Sequence, residues 1–157
     1  MKKIERIVRQ FRNALDTAWE DGMFRRLYPF NNFPNDCCGH TCDLLSQYLL
    51  EHGIETKQIN GTCRSDNQWH HVWVITEDGI VIDITGDQFI GKLVTEEEVD
   101  TVHVGEEGVV HKIFCVNKHQ ESVTNFTDPD KYTDFGGRPS AYQQRLIDVY
   151  EILNSYL

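Results

Sequence analysis

Three short stretches of the chain carry side chains able to do chemistry together. The first is Asp36-Cys37-Cys38-Gly39-His40-Thr41-Cys42, at the start of a stretch that reads as helix. A thiol in the first turn of a helix sits near unpaired backbone amides and the positive end of the macrodipole, which favours the thiolate. The same amides point where a carbonyl oxygen would gather negative charge during acyl transfer. The second stretch, Trp69-His70-His71-Val72-Trp73-Val74-Ile75, reads as a strand bearing two histidines, and the third, Gly79-Ile80-Val81-Ile82-Asp83-Ile84-Thr85, as an apolar strand interrupted by one carboxylate. An aspartate in such a strand is costly to desolvate unless something pairs with it, and histidine is its natural partner in a nucleophile–base–orienter set.

Hairpin register tests that pairing. With Glu77-Asp78-Gly79 as a three-residue loop, glycine takes the left-handed position and Thr76 faces Ile80. His71 and Asp83 then become diagonal neighbours on one face, roughly 7–8 Å apart at the backbone and within side-chain reach. The opposite face collects Val72, Val74, Ile80, Ile82 and Ile84 as core, with His70 on that side near the strand end. A two-residue Asp78-Gly79 loop would send His71 and Asp83 to opposite faces.

Several elements must position these groups. Ile4, Ile7, Val8, Phe11, Leu15, Ala18 and Trp19 recur at helical spacing, predicting an amphipathic helix over 3–21. Leu27 to Pro34 is an aromatic, proline-broken loop expected to pack down on the domain. A second helix is expected from an Asp36 N-cap to His52, stopped by Gly53. Strands follow at about 56–63, 70–76, 80–85 and 109–117, with a short one around 101–104 turning at 105–108. Residues 127–139 read as loop and 140 to the C-terminus as a closing helix. The order predicts a single α+β domain over 1–157.

The chain has 157 residues, with 15 basic against 25 acidic side chains and a net charge of −10. That balance repels phosphate backbones and argues against nucleic-acid binding. No apolar run approaches a membrane span, and the N-terminus reads as no signal peptide. Five cysteines, an odd number, suit a reducing, cytoplasmic compartment. Zinc is the competing use for Cys37, Cys38, His40 and Cys42, with His70 and His71 in reserve, but the spacing lacks the Cys-x-x-Cys pair of common sites. No metal and no cofactor is therefore expected. Cys63 and Cys115 read as core residues and Glu96-Glu97-Glu98 as a solvated turn. His103, His111 and His119 read as surface, and Tyr132 and Phe135 as loop anchors or a lid.

A cysteine at a helix start, then His71-Val72-Trp73 on one strand and Ile82-Asp83-Ile84-Thr85 on the next, resembles the transglutaminase-like branch of the papain-like cysteine hydrolase superfamily. Phe33-Pro34 before Cys38-Gly39, and the continuation Gly86-Asp87-Gln88-Phe89, resemble small bacterial proteins of that type. The resemblance covers about residues 33–89. It implies an antiparallel sheet packed on a central helix with the nucleophile at its N-terminus, and a triad of Cys38 as nucleophile, His71 as general base and Asp83 as orienter. It favours Cys38 over Cys37, because the family pattern puts a small residue after the nucleophile. Arylamine N-acetyltransferases, cysteine peptidases, amidases and protein deamidases share related arrangements. A peptide, protein or small amide or ester substrate is implied. Without a calcium site, protein cross-linking is not expected. Asn32 stands six residues before Cys38, where papain-like peptidases carry an oxyanion-hole glutamine.

Overall fold

The N-terminal amphipathic pattern forms helix α1, Lys2–Glu20, in the computed structural model, which describes all residues 1–157. Ile7, Val8, Phe11, Ala14, Leu15 and Ala18 are buried along its inner face. Trp19, expected in that stripe, is 47% exposed. Its place inside is taken by Arg12, whose side chain is 6% exposed. The guanidinium holds Asp16 (2.9 Å) and both carboxylate oxygens of Asp87 (3.0 and 2.8 Å), donates to the carbonyl of Ile84 (2.6 Å), and lies over the Phe33 ring at 4.9 Å. A charge can be buried this way because each guanidinium nitrogen has an acceptor, the carbonyl of Thr101 at 3.2 Å among them.

The loop after α1 does pack down, burying Phe24, Phe30 and Phe33. Helix α2 then runs Cys38–Glu51, with Cys37 at the N-cap. Asp36, expected to cap it, instead takes a left-handed backbone (φ 64°), a conformation Asp tolerates better than most residues. Further along α2, buried Asp43 accepts hydrogen bonds from Gln58 (2.5 Å), the amide of Val123 (2.7 Å) and the Tyr142 hydroxyl. Burial nonetheless pushes its carboxyl up to about 6.

The five strands are β1 Thr56–Cys63, β2 His70–Thr76, β3 Val81–Asp83, β4 His103–Gly105 and β5 Phe114–Glu121. They form one antiparallel sheet in the order β4-β3-β2-β1-β5. The β2–β3 hairpin pairs Val74 with Ile82 and Ile75 with Val81, the register set by the three-residue loop. Gly79 supplies its positive φ of 90°, which an L side chain would resist.

The expected strand over 109–117 is corrected. Val109–Lys112 is a single helical turn, α3, and β5 begins only at Phe114. Consecutive Val110 and His111 pack on the same side, one in the smaller cluster around Trp73 and Phe89 and the other on Asp83, whereas neighbours on a strand face opposite sides. Cys115, expected in the core, is therefore exposed on β5. The closing helix α4, Ala141–Asn154, is capped by Ser140, whose hydroxyl accepts from the amide of Gln143 at 3.1 Å.

The two faces of the sheet carry two clusters. Val74, Ile82 and Ile84 join α1, α2 and α4 in the larger one, of 25 buried residues. Trp73 and Val81 point the other way into a smaller cluster with Phe89, Val94 and Val110 from the segments between β3 and β5 and with Phe114 of β5. The architecture is α+β: four helices and an open five-stranded sheet packed against α2. No helix is long and apolar enough to cross a membrane.

Candidate active site

His71 and Asp83 meet on the face lined by the smaller cluster. His71 Nε2 lies 2.7 Å from Asp83 Oδ2, with side-chain exposures of 0% and 1%. The ring is walled by Trp73, Phe89 and Phe114, at centroid distances of 5.5, 4.9 and 5.6 Å. The other carboxylate oxygen, Oδ1, accepts the backbone N–H of Thr85 at 3.0 Å. Gly86 leaves room for the group: a Cβ there would stand 3.0 Å from Oδ2.

Cys38 opens α2 and its thiol contributes to the charge of the His71 ring, although no hydrogen bond joins the two. Nε2 of that ring is committed to Asp83, and Nδ1 is buried without a hydrogen-bond partner. The adjacent cysteine is differently placed. Cys37 is fully buried, accepts a hydrogen bond from Thr41 Oγ1 at 3.6 Å, and is pushed by burial up to about 12. Cys42 is also buried, donates to the carbonyl of Val72 at 3.4 Å, and is likewise raised by burial. Cys38 is the partly exposed member of the three. The first intrahelical bond runs from Thr41 N to Cys37 O and Cys37 offers no side-chain cap, so the amides of Cys38, Gly39 and His40 precede the hydrogen-bonded ladder.

Electrostatics hold the pair charged. Burial pulls the His71 ring downward, but the Asp83 carboxylate outweighs it, with a contribution from Cys38, and raises it to about 10. Asp83 is pushed upward by burial and held far below the usual carboxylate range by His71 and His111. A histidine raised on folding contributes stability in full below its unfolded value near 6.5 and loses it as pH climbs through the folded value. Urea-unfolding stability is therefore expected to fall by more than one pK unit's worth, about 1.4 kcal/mol, between pH 6.5 and about 10. In His71→Phe that slope should disappear; an unchanged slope would show that the pair does not titrate this way.

Other candidates are not drawn in. Asn32 is exposed and turns its amide toward Asp36 at 3.5 Å. His70 is exposed and sits 3.2 Å from Thr62 Oγ1. His40 is half-buried, stacked on Tyr142 at 4.5 Å, and lowered by burial to about 4. No three His, Cys, Asp or Glu side chains are grouped to hold a metal ion. Cys37 and Cys42 are occupied instead by the Thr41 hydroxyl and the Val72 carbonyl. Phe135 is 89% exposed and anchors nothing, whereas Tyr132 packs on the larger cluster.

The residue missed from sequence is His111. Expected at the surface, it is 2% exposed, with Nε2 at 2.9 Å from the same Asp83 Oδ2. Its one available signal was Gly108, whose amide donates to His111 Nδ1 at 2.9 Å and starts the helical turn.

The arrangement is that of an α+β protein in which a buried imidazole and a buried carboxylate from neighbouring strands are hydrogen-bonded, with a thiol at the start of the helix packed on the sheet. Against protein-family models, curated proteins and solved structures, the chain finds no match.

Proposed function

We propose that the protein is a cysteine-dependent acyl-transfer enzyme of transglutaminase-like type, hydrolysing a peptide or amide bond. The observation that carries this reading is the division of labour on the His71 ring: Asp83 holds Nε2, Nδ1 has no hydrogen-bond partner, and the one partly exposed thiol of α2 acts on the charge of the ring. For attack, the Cys38 proton passes to Nδ1, giving a thiolate–imidazolium pair that Asp83 stabilises. The thiolate attacks the carbonyl carbon, and the oxyanion is received by the first-turn amides of α2. The C–N bond then breaks as Nδ1 hands its proton to the departing amine, leaving a thioester on Cys38. Water attacks this thioester, giving its proton to Nδ1, and the thiolate leaves as the acid product is released.

Hydrolysis is preferred to transfer because the site presents no second group built to receive an amine. A peptide, protein side-chain amide or small ester all fit this chemistry.

The test is alkylation by iodoacetamide at neutral pH, with sites located by fragment mass. Exposed Cys115 serves as an internal standard for an ordinary thiol. Cys38 is expected to react at least tenfold faster than Cys115, and His71→Ala to remove that advantage. Equal, slow labelling of both thiols would overturn the reading.

A further inference from the structure

We infer that His111 is a positioning residue of this site, holding the Asp83 carboxylate turned toward His71 through an uncharged hydrogen bond. The inference rests on the triad reading above and deepens it. His111 Nδ1 accepts the Gly108 amide, so that nitrogen carries no proton. The ring proton is consequently on Nε2, which donates it to Asp83 Oδ2. The ring has little freedom: Trp73 lies at 5.0 Å and His103 at 4.7 Å.

This makes Oδ2 the acceptor of two imidazole N–H groups, while Thr85 N occupies Oδ1. Three donors from three directions fix the plane of the carboxylate. The chemistry of the third donor matters as much as its position. A lysine or arginine there would bring a second cation and divide the carboxylate's attraction with His71. A leucine would leave Oδ2 bound by His71 alone. A neutral imidazole restrains the group yet leaves its whole charge to the imidazolium. The ionisable groups around His111 are Asp83 from β3, His71 from β2, His103 from β4 and exposed Lys112 on its own turn; Cys38 lies beyond His71.

The closing experiment measures the rate of Cys38 alkylation against pH in the wild type, His71→Ala, His111→Leu and His111→Gln. His111→Leu is expected to move the half-maximal rate upward by about one pH unit, a tenfold slowing near pH 6. His111→Gln, which keeps an uncharged N–H donor, should restore most of it. A structural role alone would lower the unfolding midpoint of His111→Leu without moving its pH profile, and that result overturns the inference. If His71→Ala leaves the profile unchanged, the triad reading itself fails. If His71→Ala shifts it and a folded His111→Leu does not, only the role of His111 fails. Should His111→Leu not fold, nitrogen-15 shifts of the wild-type imidazoles decide: a bare Nδ1 on His111 in the buffer of the alkylation assay supports the assignment, and a proton on Nδ1 overturns it.

Discussion

Asp83→Asn is expected to lower turnover of any acyl substrate by about 10⁴-fold, the scale seen when a triad loses its orienting carboxylate. Asn is close to Asp in shape but is uncharged and has one NH₂ end, whereas both carboxylate oxygens face donors, the two rings at Oδ2 and the Thr85 amide at Oδ1. Either orientation of the amide sets its NH₂ against a donor. The imidazolium of His71 also loses its counter-charge. Asp83→Ala does different damage. It leaves His71 and His111 buried with no acceptor, and breaking a buried charged pair in this way costs about 3–5 kcal/mol. Urea unfolding should register the alanine variant as severely destabilised. In the asparagine variant the main loss should be catalytic, read as a fall in kcat. A less than tenfold loss in Asp83→Asn would remove Asp83 from the mechanism.

Arg12→Ala is the second large effect, this time on stability. Its guanidinium joins α1 to the segment just after Asp83, through Ile84 O and both oxygens of Asp87, whose side chain is only 12% exposed. Truncation strands the Asp87 carboxylate in a place water hardly reaches. The expected cost is again about 3–5 kcal/mol, measured by chemical denaturation. Arg12→Lys should recover only part of it, since an ammonium cannot reproduce a planar two-pronged contact. Because Thr85 and Gly86 lie within the clamped segment, the alanine variant should also show slower alkylation of Cys38 at temperatures where it remains folded. A loss below 1 kcal/mol would mean that Arg12 is tolerated in its place rather than needed there.

What could be read from the residues was whatever local rules determine. Local strand signals placed β1 and β2 at the bounds later observed, and a three-residue loop at Glu77-Asp78-Gly79 gave the register that puts His71 and Asp83 on one face. Helix periodicity located α1, α2 and α4 to within two or three residues. What escaped depended on contacts distant in sequence. Arg12 reads as one more charge on an amphipathic helix until Asp87 arrives 75 residues later. His111 reads as surface because the sequence offers it no nameable partner, and only the turn of α3 carries the ring to Asp83. Cys115 illustrates the reverse error: an apolar run at the outermost strand need not be covered. The choice between Cys37 and Cys38 likewise lay beyond periodicity, since it turns on which way the first residues of α2 face.

The open sheet ends on one side at β4, only three residues long, and on the other at β5, where seven of eight residues are exposed. Unpaired backbone along such margins is a template on which further chains can add. Here Lys118 and Glu121 put ionised groups along β5, and the irregularity at Asn60/Gly61 breaks the straight line of pairing beneath it. At the opposite margin β4 is too brief to guide another strand. The protein thus guards against self-stacking into fibrils by brevity at one border and by charge with a local kink at the other.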